Sequence, residues 1–77
     1  MIVKFIEVGR NHASWEAEYD AKDIDDIDPD WMYQQVKKRA LVRSSLIDFL
    51  INRENNTGII LAGFHYIGKF EIKLTEE

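Results

Sequence analysis

The chain is expected to fold as an α+β domain in the order ββαβββ, a five-stranded antiparallel sheet with one helix on one face. Three observations carry that expectation. Five short segments (2–8, 14–20, 45–52, 59–64 and 69–74) are rich in β-branched and aromatic residues, and several of them alternate apolar with polar. Between the second and third, Asp28-Pro29-Asp30 opens a stretch in which Met32, Val36 and Ala40 recur every four residues, as one helix face requires. Turn-forming residues separate the remaining segments at 9–12, 53–58 and 63–68.

IVKFIEV (2–8) reads as a strand, and Gly9-Arg10-Asn11-His12 supplies residues that tolerate positive φ. SWEAEYD (14–20) then sets Trp15, Ala17 and Tyr19 on one face and Ser14, Glu16 and Glu18 on the other, the pattern of a half-buried strand. Two hairpin registers fit. A three-residue loop sets Lys4 opposite Glu18 and Phe5 opposite Ala17, whereas a two- or four-residue loop sets Ile6 opposite Trp15. Both bury Trp15.

The helix is predicted over 29–40. Asp28 serves as N-cap, and Pro29 at the first helical position gives up an amide that would have no intrahelical partner. In SLIDFLIN (45–52), Ile47, Phe49 and Ile51 share one face, and Leu46 and Leu50 lie on the other with Asp48 and Asn52. IILAGF (59–64) is apolar on both faces. KFEIKL (69–74) turns Phe70, Ile72 and Leu74 inward and Lys69, Glu71 and Lys73 outward. Strands apolar on both faces suit the middle of a sheet, and one-faced strands its edges. The expected order is therefore 2-1-3-4-5, with the helix returning the chain across one face. The alternative is a small curled β-barrel capped by the helix.

With 77 residues, the chain 1–77 is expected to be a single domain, and 45% hydrophobic with 12% aromatic content requires a packed core. A domain of this size buries only about 60% of its unfolded surface, so reinforcement is expected from a well-made core or self-association. Disulfides and cysteine-based zinc sites are excluded, because there is no cysteine. A cysteine-free chain suits a cytoplasmic location. Lys4, Glu7 and Arg10 interrupt the first apolar stretch, so no secretion signal or membrane span is expected. The Asn55-Asn56-Thr57 sequon is then without consequence.

The stretch 22–43 combines Asp23, Asp25, Asp26, Asp28 and Asp30 with Lys37, Lys38, Arg39 and Arg43. A calcium loop needs glycine at its sixth place and glutamate at its twelfth. From Asp23 those places hold Asp28 and Gln34; from Asp26 they hold Trp31 and Lys37. No specific metal site is expected. Carboxylates at the start of a helix and cations at its end each stabilise it by about 0.3–1 kcal/mol, which accounts for both halves of the stretch. Nucleic-acid contact through Lys37, Lys38, Arg39 and Arg43, with Tyr33 or Trp31 stacking, is the alternative function. The net charge of −4 opposes a general nucleic-acid binder, and Lys37 and Lys38 point to different sides of a helix.

Catalysis is not expected. His12 and His65 fall in predicted turns, and Ser14, Ser44 and Ser45 belong to no nucleophile elbow. Glu16 and Glu18 share a solvent-facing side, and no glycine-rich phosphate loop is present. No cofactor is implied.

What remains is a protein-interaction or assembly module. One helix of about twelve residues covers a five-stranded sheet only in part. Leu46, Leu50, Ile60 and Ala62, with Ile2 and Ile6, are expected on the other face, where a homodimer or another protein would cover them.

Overall fold

The computed structural model describes residues 1–43 and 45–74. The order of elements is β1 (Ile2–Val8), β2 (Ala13–Glu18), a 3-10 turn (Ile24–Asp26), α1 (Pro29–Arg39), β3 (Ile47–Asn52), β4 (Thr57–Ala62) and β5 (His65–Lys73). All strands form one open antiparallel sheet, and α1 is the single α-helix among the described residues. The ββαβββ class holds, and the curled barrel does not form.

The strand order is β2-β1-β5-β4-β3, not the expected 2-1-3-4-5. The expectation sent the strand with charged outward residues to an edge. Instead β5 lies at the centre, where one of its outward charges, Glu71, stands opposite Lys4, while Lys69 and Lys73 stand opposite Ile6 and Ile2. Lys4 of β1 stands directly between Glu16 of β2 and Glu71 of β5, and Ile2 between Glu18 and Lys73. Opposite charges in direct register favour pairing by about 0.2–1 kcal/mol. Strand β3, apolar on both faces, is left at an edge.

α1 carries the chain from the β2 edge to the β3 edge. Asp28 caps it as expected, its carboxylate accepting from the Asp30 amide at 2.9 Å, with Pro29 in the first turn. Met32 and Val36 are buried against Val3, Phe5, Ile60, Phe70 and Ile72 of the sheet. Trp15 is half-buried at the margin and donates from Nε1 to Gln35 Oε1 of the helix at 3.3 Å.

A row of aromatic rings crosses the core. Trp15 stacks on Phe5 at 4.5 Å, Phe5 meets Phe70 at 6.4 Å, and Phe70 meets Phe49 edge-on at 6.2 Å. Strand β4 lies between Phe70 and Phe49, and there Gly58 occupies the position opposite Phe70.

The first hairpin takes neither expected register: Lys4 stands opposite Glu16 instead of Glu18, and Trp15 faces Phe5 instead of Ile6. Val8 pairs with Ala13 around the four-residue turn 9–12, but Phe5 pairs with Trp15, so β1 holds one extra residue between them. Glu7, at φ 47°, forms this bulge, and its amide donates to Ser14 Oγ at 3.0 Å. The bulge returns Val8 to the inner face, where it is fully buried. The second reversal is tighter than 63–68. Gly63 (φ 56°) and Phe64 (φ 72°) alone make a two-residue turn with both central residues at positive φ, so β5 begins at His65.

Candidate interaction surface

The face of the sheet away from α1 divides into two halves. Toward β2 it carries the charged ladder of Lys4, Glu16, Glu71 and Lys73. Toward β3 it carries Leu50 opposite Ile59 and Asp48 opposite Leu61, with Leu46 just before the strand. Leu46 is 66% exposed and Leu50 54% exposed, so both expected residues lie on open surface.

Ile60 and Ala62 do not join them. The turn 53–56 sets Ile60 opposite Phe49 and Ala62 opposite Ile47, and residues directly opposite share a face. Ile60 is therefore fully buried beneath the helix and Ala62 is buried beside it. Ile59 and Leu61 take their places on the open side. Ile2 and Ile6 lie on that side as expected, both half-buried.

Sequence reasoning missed the exposure on the other side of β3. Ile47 and Phe49 are half-buried, but Ile51 remains 42% exposed, because α1 does not reach over the edge strand. A groove of 380 Å³ lies there, lined by Met32 and Tyr33 of the helix and by Ile47, Phe49 and Ile51 of β3. The alternation of Ile47, Phe49 and Ile51 was legible. That the helix leaves β3 partly uncovered depends on the strand order.

The basic residues differ in their surroundings. Lys37 Nζ donates to the Val42 carbonyl at 3.0 Å, holding the chain as it leaves the helix. Lys38, Arg39 and Arg43 are exposed. Arg43 lines a groove of 640 Å³ together with Arg10, His12 and Lys69, which sequence spacing did not bring together. Leu41, Val42 and Tyr66 supply its apolar wall.

The aspartates are engaged locally. Asp23 Oδ1 accepts from the Asp25 amide at 3.3 Å and caps the 3-10 turn, Asp28 caps α1, and Asp25 pairs with Arg53 at 2.7 Å. Both partners of that ion pair are well exposed, so it contributes little. Among the described residues no three His, Asp or Glu side chains converge as a metal site would require. His12 lies in the first turn and His65 opens β5, both exposed. Ser14 accepts the bulge amide, Ser45 is exposed, and Ser44 lies outside the described residues. No helix among the described residues is long and apolar enough to cross a membrane.

No protein-family model, curated protein or solved structure matches the chain.

Proposed function

We propose that the chain is a protein-interaction and assembly module that self-associates as a homodimer and carries no catalytic activity. The observation that supports this reading is the cluster of exposed aliphatic side chains, Leu46 and Leu50 with Ile59, on the β3 half of the open face. The charged ladder on the β2 half keeps that part soluble and confines the apolar contact to one side. Contiguous apolar surface of this kind marks interaction sites in soluble proteins. A cytoplasmic setting belongs to the same proposal and is supported by the cysteine-free composition.

Size-exclusion chromatography with light scattering tests it. The parent is expected to run as a dimer. Leu50→Glu is expected to run as a monomer with the helical circular dichroism retained, because Leu50 is exposed in the single chain. A parent that scatters as a monomer at high concentration overturns the proposal.

The second reading is contact with nucleic acid at the basic end of the molecule. It is supported by the convergence of Arg10, Arg43 and Lys69 on one groove, near the exposed Lys38 and Arg39 at the end of α1.

A further inference from the structure

We infer that two copies join edge to edge along β3, antiparallel and with Leu50 on the two-fold axis, so that their sheets become one continuous sheet. The inference rests on the self-association proposed above and supplies its geometry.

Strand β3 is the last strand on its side of the sheet. Its exposed residues lie on both faces: Leu50 on the open face at 54%, Ile51 on the helix side at 42%. Stacking two open faces would cover Leu50 and leave Ile51 bare. Only a partner that lies alongside the edge covers both.

The backbone points the same way. The Gly63 amide donates to the Leu46 carbonyl at 2.9 Å, and bonded and non-bonded pairs alternate along an antiparallel ladder. Leu46, Asp48, Leu50 and Asn52 therefore turn their main-chain groups toward β4. Those of Ile47, Phe49 and Ile51 point outward along the free edge. Natural edges are blunted by lysine, proline or a bulge. β3 has no lysine, proline or bulge and a single charge, Asp48, and its ladder runs unbroken from Ile47–Ala62 to Asn52–Thr57. The opposite edge, β2, carries Glu16 and Glu18 and faces the bulge in β1.

Charge selects both the occupant and the register. Directly opposite residues share a face, so a two-fold axis must set one residue of β3 against itself. An axis at Asp48 places two carboxylates together. An axis at Ile51 sets Asp48 against the partner's Glu54. An axis at Phe49 sets Asp48 against the partner's Leu50. An axis at Leu50 avoids all three: Leu50 meets Leu50, Phe49 meets the partner's Ile51, and Asp48 meets the partner's Asn52, whose amide can donate to it. The strand is thus complementary to a second copy of itself. The groove between α1 and β3 gains the partner's Ile51 as a new apolar wall beside Tyr33 and Phe49.

The chain contains no cysteine, so single-cysteine variants report contacts cleanly. In this register Leu50 forms a non-bonded pair with its own copy, with Cα atoms about 4.5 Å apart, inside the disulfide range of roughly 4.4–6.8 Å. Leu50→Cys is expected to give a covalent dimer under mild oxidation at least about tenfold faster than Ile59→Cys, the neighbour on the open face of β4. Mixing Asp48→Cys with Asn52→Cys is expected to give the mixed dimer in preference to either homodimer, which checks the register without altering Leu50. Crosslinking of Ile59→Cys as fast as Leu50→Cys would place the copies face to face and overturn the edge geometry. A dimeric parent in which neither the Leu50→Cys variant nor the mixed pair crosslinks overturns it equally. Both results leave self-association standing, whereas a monomeric parent removes both.

Discussion

Gly58 of β4 and Phe70 of β5 are directly opposed, and the Phe70 ring occupies the space that a side chain at 58 would fill. A β-carbon there would collide with the ring and with the Leu50 carbonyl. The vacancy lets Phe70 reach across β4 to Phe49 and continue the aromatic row toward the edge strand. Gly58→Ala is expected to destabilise the fold by about 1–3 kcal/mol, the usual cost of overpacking a filled core. Urea unfolding measures it. Coincident midpoints for mutant and parent would mean that the ring moves aside freely.

Asn11 clips the first turn to the end of the helix. Its Oδ1 accepts from the Leu41 amide at 2.9 Å, and its Nδ2 donates to the Arg39 carbonyl at 3.3 Å. One side chain thus satisfies groups that the end of α1 leaves without intrahelical partners. Asn11→Ala is expected to cost roughly 1–2 kcal/mol for two exposed hydrogen bonds. Asn11→Asp, which keeps the acceptor but loses the donor, is expected to fall between mutant and parent. An alanine variant as stable as the parent would show that water replaces both bonds without loss.

At the other end of α1, Asp28 is the acceptor for the Asp30 amide. Asp28→Ala is expected to lower stability by about 0.5–2 kcal/mol, as the loss of an N-cap does. Its urea midpoint should drop while the slope of the transition stays unchanged. An unchanged midpoint would mean that solvent caps the helix as well as the carboxylate.

Phe64 is held at φ 72° and is 86% exposed, so the residue carries backbone strain and little compensating burial. Strain at a left-handed non-glycine residue is of order 1–3 kcal/mol. The added flexibility of an unfolded glycine offsets about 0.5–1 kcal/mol of its relief. Phe64→Gly is accordingly expected to stabilise the fold by about 1 kcal/mol, the strain relief outweighing the entropy. A rise in the thermal midpoint supports this. A fall would show that the ring makes a stabilising contact, and such a contact would be sought in the assembled state.

Elements with their own local signal were legible in the sequence, and those set by partners at a distance were not. Asp28-Pro29 and the Met32/Val36 stripe state where the helix starts and which side it buries, and α1 runs Pro29–Arg39. The alternation of Trp15, Ala17 and Tyr19 identifies an inward face without any knowledge of neighbours. Strand order fails that test, because the charges of β5 look like an edge until Lys4 of β1 is seen opposite Glu71. The face of Ile60 fails it too. A two-faced apolar strand has no preferred side until the turn 53–56 sets its register against β3. Gly58 reads as a turn residue by composition, and only the Phe70 ring explains why it stands inside a strand. The exposure of Leu46 and Leu50 was legible because Asp48 and Asn52 mark their side of β3 as the solvent side.

The basic end separates the two functional readings. Arg10, Arg43 and Lys69 share a groove near Lys38 and Arg39, whereas Lys37 is committed to the Val42 carbonyl. Phosphate contacts would weaken steeply with salt, by roughly one counterion released per contact. If the chain is an assembly module, fluorescence anisotropy with labelled single- and double-stranded oligonucleotides should show binding only at low salt. That residual binding should fall when Arg10, Arg43 and Lys69 are replaced together by alanine, and it should not depend on the base sequence. Binding that persists at physiological salt and vanishes in the triple variant would move nucleic-acid contact to first place. The same variant leaves the β3 edge untouched, so its dimerisation should match that of the parent whichever reading holds.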